Sequence, residues 1–267
     1  MPVPQQSVAM TSTRSPAIEA KGLVKEFRGP EGAVRAVDGL DLVVWPGEVV
    51  AFLGPNGAGK TTTLDLVLGL AAPTSGTVRV FGKKPAGAIA DGQVAAALQD
   101  GGFLRDITVF ETVELTAALF GRTGSVTPFL ERAGIAQIAR RKVGKCSGGQ
   151  QQRLRFAMAL VSEPDLLLLD EPTTGMDVQG RRDFWTAIRH DAEAGRTVVF
   201  ATHYLQEADS YADRIVLVSH GRVVADGTVA EVKALAGSSN LEDVFLALTA
   251  DRADGTTTAT TAEGVNR

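Results

Sequence analysis

Apolar residues along this chain fall into two kinds of run. Val49 to Leu53 and Leu166 to Leu169 are continuously apolar and only strand-long, the pattern of strands covered on both faces. Ile18 to Phe27 and Ala36 to Val44 alternate roughly, as strands with one covered face do, and Trp45-Pro46-Gly47 punctuates before a strand at Glu48 to Leu53. Thr61 to Leu70 carries helical spacing; a Pro-Thr-Ser-Gly turn then leads to a short strand, Thr77 to Phe81. From about Ile89 to Ser162 strand patterning disappears and the segment reads as mostly helical. Beyond it the pattern predicts a strand at Leu166 to Asp170, a helix at Gly180 to Asp191, a strand at Thr197 to Thr202, a further helix and a strand at Arg214 to Ser219. Strands alternating with helices call for a mostly parallel sheet with both faces covered. The predicted fold is therefore α/β: a core of this kind, an antiparallel β subdomain at the start and an inserted helical subdomain at about 89–162. The ordered domain is expected over 18–249. Residues 1–17 and 250–267 lack apolar periodicity and cannot bury enough surface to offset the entropy of ordering them, so both are expected to be disordered tails.

Composition narrows the class. With 267 residues, 44% hydrophobic and 22% charged, the chain is an ordinary globular one with a core that needs no staples. Cys146 is the single cysteine, which excludes an internal disulfide and a multi-cysteine zinc site and suits a reducing compartment. A balance of 27 basic against 31 acidic residues argues against a nucleic-acid partner. No apolar run approaches the roughly 18–20 residues that cross a bilayer. The first residues have neither a basic cluster nor an apolar stretch of signal-peptide type. Composition alone points to a cytosolic protein.

Chemistry enters at Gly54-Pro55-Asn56-Gly57-Ala58-Gly59-Lys60-Thr61, which fits G-x-x-x-x-G-K-[ST] between a buried strand and a helix. Glycines let consecutive N–H groups and the helix N-terminus face a phosphate. Lys60 would reach the β and γ phosphates, and the Thr61 hydroxyl would ligate Mg²⁺. A second strand ends in Asp170-Glu171-Pro172, which delivers a carboxylate to the carboxyl edge of the sheet. Asp170 is the expected Mg²⁺ partner, through water, and Glu171 can orient or deprotonate an attacking water. Those two motifs define a P-loop NTPase.

Between them lies Lys145-Cys146-Ser147-Gly148-Gly149-Gln150-Gln151-Gln152-Arg153, in which Ser147 stands 23 residues before Asp170. A serine N-cap followed by glycines exposes N–H groups and a hydroxyl suited to an anion. The stretch resembles the L-S-G-G-Q signature of ABC transporter ATPases, with Cys146 in place of the usual leucine as a small hydrophobe. Other landmarks follow in order. Gln99 resembles the glutamine that touches Mg²⁺ or the attacking water and links the core to the helical insertion. Asp177, in Thr174-Gly175-Met176-Asp177, resembles the loop aspartate that faces a partner subunit. His203 is similar to the switch histidine on the γ-phosphate, and Phe27 stands where an aromatic stacks on adenine. The resemblance covers Ile18 to Leu248.

It implies an ATPase in which ATP is bound by Phe27, by Gly54, Pro55, Asn56, Gly57, Ala58, Gly59, Lys60, Thr61 and Thr62, and by Ser147, Gly148, Gly149, Gln150 and Asp177. Thr61, Gln99 and Asp170 would hold Mg²⁺, and Glu171, His203, Lys60 and Gln99 would carry catalysis. It further implies a head-to-tail homodimer with ATP at the interface, and a separate integral membrane permease whose coupling segment docks near Gln99 and Phe103 to Thr116. The chain would then sit at the cytoplasmic face of the cell membrane. The closing segment, Asn240 to Thr249, resembles the last helix of drug- and polysaccharide-export ATPases, and Thr77 to Gly82 also looks like that branch, so export is expected. The alternative is a non-transport ABC ATPase of translation or DNA repair; such proteins usually carry two cassettes or a long coiled-coil insertion, whereas one phosphate loop and one signature are present here.

Overall fold

The computed structural model describes residues 15–250 apart from Glu31, Asp100, Ala236 and Ser239. Strands β1 (Ile18–Gly29), β2 (Gly32–Val44) and β4 (Ser75–Val80) form an antiparallel sheet in the order β2-β1-β4. The second sheet has the order β5-β6-β7-β3-β8-β9. It comprises β3 (Val49–Leu53), β5 (Val94–Ala97), β6 (Leu166–Asp170), β7 (Thr197–Thr202), β8 (Arg214–Ser219) and β9 (Arg222–Thr228). All its pairings are parallel except the last, β8 with β9.

The continuously apolar strands are buried on both faces, and their alternation divides the interior in two. Leu166, Leu168, Val50 and Phe52 join Ile18, Leu23, Leu40, Val80 and helix α1 (Lys60–Val67) in a core between the two sheets. Leu167, Leu169, Val49, Ala51 and Leu53 point the other way, onto α5 (Gly148–Leu160) and α6 (Val178–Glu193). Each of the four leucines is wholly buried, a contribution of about 1.5–3 kcal/mol apiece. In the second core Trp185 stacks on Tyr211, centroids 5.0 Å apart, and meets Phe200 edge-on at 4.5 Å.

The insertion holds α3 (Val109–Leu119), α4 (Thr127–Arg132) and α5, two 3₁₀ turns between α4 and α5, and, among the described residues, no strand between Ala97 and Leu166. A capping box starts α3: Thr108 Oγ1 accepts from Glu111 N, while Glu111 Oε2 accepts from Thr108 N. Helices α2 (Pro85–Ala90), α7 (Leu205–Tyr211), α8 (Val229–Leu235) and α9 (Leu241–Ala250) complete the chain.

Three expectations are corrected. The helical insertion does not start at Ile89, because Val94–Ala97 pairs with β6 as a strand of the core sheet. Order begins before Ile18: Ala17 is wholly buried, its N–H donates to Val44 O and its carbonyl accepts from Phe81 N. At the other end α9 runs to Ala250. The remainder of both expected tails, 1–14 and 251–267, lies outside the described residues.

Candidate functional site

The phosphate loop leaves β3 at Leu53 and enters α1 at Lys60, and neighbouring backbone fixes two of its glycines. A Cβ on Gly54 would lie 2.3 Å from the Val218 carbonyl oxygen. Gly59, at φ +98°, would place one 2.1 Å from Ala36 O. The tip of the β8–β9 hairpin supports the loop from outside, Gly221 N donating to Ala58 O at 3.0 Å. Lys60 is buried and its Nζ donates to Gly54 O at 2.7 Å and Pro55 O at 3.2 Å. Burial pulls its ammonium below the ordinary lysine range, and the charges of Glu171 and Asp170 oppose that.

Parallel strands β3, β6 and β7 bring the other groups to the same edge of the sheet. Thr61 Oγ1 donates to Asp170 Oδ2 at 2.9 Å. Burial raises the Asp170 carboxyl; the Thr61 bond and Lys60 work against it, and Glu171 adds to it. Glu171 has a left-handed backbone, φ +48°, uncommon for a residue with a side chain. Its Oε1 lies 2.8 Å from His203 Nδ1, while its buried Oε2 has no hydrogen bond among the described residues. Asn56, Gly57, Ala58, Gly59, Lys60, Thr61, Thr62, Gln99, Asp170 and Glu171 line one cavity of about 360 Å³. Predicted residues separated by more than a hundred positions thus converge. Lys60, Thr61, Asp170 and Glu171 can bind a polyphosphate and a hard divalent cation and place a carboxylate beside them.

The signature builds a second, separate cavity. Ser147 Oγ accepts from Gln150 N, and Gln150 Oε1 accepts from Ser147 N, so the predicted N-cap is a full capping box that opens α5. Gly148 is exposed with open space where a side chain would go, whereas a Cβ on Gly149 would sit 3.0 Å from Gly175 O. Asp177 caps α6, its Oδ1 accepting from Gly180 N at 2.6 Å. Ser147, Gly149, Gln150 and Asp177 line this cavity of about 560 Å³, and it shares no lining residue with the phosphate-loop cavity. Cys146 lies buried in the core beneath the signature, Sγ 3.6 Å from Lys142 O, and burial raises its thiol.

Phe27 is exposed on β1, with Lys25 Nζ 5.0 Å from its ring centroid. Its register partner on β2 is Val34, and Val34, Arg35 and Ala36 form a wall of the phosphate-loop cavity. Arg35 was not among the residues expected there. Its only sequence signal is a basic residue in an alternating strand, and it is held by Asp38 at 3.1 Å and Glu26 at 3.6 Å.

The ABC transporter family profile matches residues 37–174, which include the phosphate loop, the signature and the Asp170-Glu171 strand end. The chain belongs to the ABC transporter family. This ABC ATPase is 39% identical over 239 residues to the daunorubicin/doxorubicin resistance ATP-binding protein DrrA of Streptomyces peucetius, covering 87% of this chain and 71% of that protein. It is 39% identical over 218 residues to the Nod factor export ATP-binding protein I of Paraburkholderia xenovorans, covering 79% and 70%. Among solved structures it resembles the ATP-binding subunit of an ABC transporter (TM-score 0.77, 25% identity, 87% of this chain and 99% of that one). It also resembles a dimeric ATP-binding cassette in a post-hydrolysis state with ADP and Pi (TM-score 0.73, 27% identity, 79% and 98%). The ABC ATPase binds nucleotide and hydrolyses ATP. No helix among its described residues is long and apolar enough to cross a membrane.

Proposed function

We propose that this chain is the ATP-hydrolysing subunit of an exporter, acting as a head-to-tail pair at the cytoplasmic face of the cell membrane beside a separate integral membrane permease. The observation that carries the catalytic part is the Glu171–His203 pair at the mouth of the phosphate loop. Glu171 Oε1 is occupied by His203, which fixes the carboxylate; Oε2 keeps its lone pairs for the proton of an attacking water. Lys60 and the loop N–H groups stabilise charge on the transferring phosphoryl group, which presents stronger acceptors than the two carbonyls Lys60 now holds. Thr61 and Asp170 offer a hydroxyl and a carboxylate 2.9 Å apart, the hard-oxygen donors Mg²⁺ takes, with Gln99 on the rim of the same cavity. Mg²⁺ held there would neutralise charge on the β and γ phosphates.

The pairing is supported by the separation of the two cavities, since Ser147 and Gly149 do not line the phosphate pocket of their own chain. A solved neighbour is a cassette dimer. For the permease, an apolar groove of about 460 Å³ lies beside Gln99, walled by Leu70, Val94, Leu98, Phe103, Thr116 and Phe120. Arg155 places its guanidinium 4.8 Å above the Phe103 ring at the mouth of that groove. One named relative is a drug-resistance and the other an export ATP-binding protein, which supports export of a drug-like or lipid/polysaccharide substrate.

The deciding variant is Glu171→Gln. It keeps the size of the side chain and removes the base, so turnover should fall by about 10²–10⁴-fold while ATP binding persists and a dimer accumulates. Near-normal turnover would remove Glu171 from this role. Co-purification should bring down an integral membrane protein; dependence on ribosomes or DNA would sink the transport reading.

A further inference from the structure

We propose that Glu207 positions the Glu171–His203 pair by bracing the segment that follows β6 against the segment that follows β7. The two members of the pair stand on different connections. Glu171 opens the stretch after β6, and His203 opens the stretch after β7. One backbone bond, Glu171 N to Ala201 O at 2.9 Å, joins the strands at that edge. Past it the connections diverge, and each must be held in place for a 2.8 Å contact to form between side chains.

Glu207 sits in the first turn of α7, directly after the histidine, and its own N–H donates to Tyr204 O at 3.0 Å. Its side chain turns away from solvent and crosses to the other connection, where Oε1 accepts from Thr173 Oγ1 at 2.5 Å. Thr173 lies two residues after Glu171, inside the turn that Thr174 N closes on Glu171 O at 3.3 Å, so the brace grips the turn that carries Glu171. Arg181, from α6, completes the arrangement: its Nε is 3.2 Å from the same Oε1, and its guanidinium lies 5.0 Å over the Tyr204 ring. The Tyr204 ring in turn rests against His203, centroids 4.1 Å apart. A single carboxylate therefore connects, through Thr173 on one side and Arg181 and Tyr204 on the other, to both partners of the pair.

Two observations make this more than packing. The backbone of Glu171 is left-handed at φ +48°, and a non-glycine residue persists there only when its surroundings over-determine it. Glu207 is also buried, and burial pushes its carboxyl above the ordinary range against the pull of Thr173, the Trp185 indole and Arg181. A leucine or methionine would fill the space without that penalty, so an acceptor for Thr173 is what the position requires.

The brace rests on the reading of Glu171 as base, and the test separates the two. Full-length wild type, Glu207→Ala, Glu207→Gln, Thr173→Val and Glu171→Gln are compared, with kcat expressed per site competent to bind a fluorescent ADP analogue. Glu207→Ala should lower kcat per competent site by about 10- to 100-fold, the cost of a misplacement of about an ångström, with KM and nucleotide affinity held within about twofold. Glu207→Gln, which keeps an acceptor for Thr173, should recover most of the loss. Thr173→Val should reproduce it, and its combination with Glu207→Ala should be no slower than Glu207→Ala alone. A residue that only packs would lower the yield of competent sites and leave kcat per site unchanged; that result overturns the brace. If Glu207→Ala does not fold, Thr173→Val decides, and an unaltered kcat there overturns it equally. Retained turnover in Glu171→Gln removes the base and the brace with it; lost turnover there beside an unaltered Glu207→Ala removes the brace alone.

Discussion

Gly59 gives a sharp quantitative test of how the phosphate loop is built. An alanine there meets two separate obstacles. The backbone at φ +98° lies where a side chain is strained, at about 1–3 kcal/mol. The new methyl would also stand 2.1 Å from Ala36 O, and β2 carries that oxygen as backbone, so no rotamer can relieve the contact. Overpacking of this kind adds about 1–3 kcal/mol. The sum is about 2–6 kcal/mol, and at about 2–4 °C per kcal/mol for a domain of this size Tm should drop by at least about 4 °C. Gly57 supplies the control. It has φ +79° but open space around its Cβ, so Gly57→Ala carries the conformational strain without the clash. Thermal unfolding of both variants followed by circular dichroism, with titration of a fluorescent ATP analogue, isolates the difference. Gly59→Ala should unfold several degrees below Gly57→Ala and bind nucleotide more weakly, because the loop must retreat from β2. Equal melting temperatures would refute the claim that β2 shapes the loop.

Other substitutions probe the remaining parts. Lys60→Ala should fold and lose about 10- to 100-fold in ATP affinity, the range for charge-assisted hydrogen bonds, measured by calorimetric titration; unaltered affinity would undo the phosphate-loop assignment. Ser147→Ala removes the acceptor of the capping box and should cost about 1 kcal/mol of stability. It should also slow turnover without changing ATP binding to the single chain, and full activity would separate the signature from hydrolysis. Cys146, whose thiol burial raises above the ordinary cysteine range, should alkylate more slowly in the native protein than in urea at one pH. Because the folded state disfavours the thiolate, stability is unaffected by this group below the unfolded thiol's pKa and declines as pH rises through it. Equal alkylation rates would contradict its burial.

The apolar pattern locates Leu166–Asp170, Thr197–Thr202 and Arg214–Ser219 at the residues where strands occur, since burial on two faces makes each run apolar inside and a polar residue marks where it stops. Val94–Ala97 escapes the same reasoning: three alanines carry little strand preference, and only pairing with β6 makes the segment a strand. β9 was missed for a different reason. Its turn is His220-Gly221, with φ +50° and +75°, the two-residue geometry usually announced by Asn-Gly or Asp-Gly. Lys60, Thr61, Asp170 and Glu171 were legible because each is defined by spacing to a neighbour along the chain, and the structure brings these four to one sheet edge. Glu207 was not legible, because its meaning depends on Thr173 and Arg181 lying across from it in space.

The two cavities that share no wall have a consequence for kinetics. Under head-to-tail pairing a single chain owns the halves of two different sites and completes neither, so far below the pairing constant turnover should scale with the square of chain concentration. Mixing chains dead at Lys60 with chains dead at Ser147 would then restore one composite site per mixed pair, built from the intact signature of the first and the intact phosphate loop of the second. Catalytic competence would then belong, in this molecule, to an encounter.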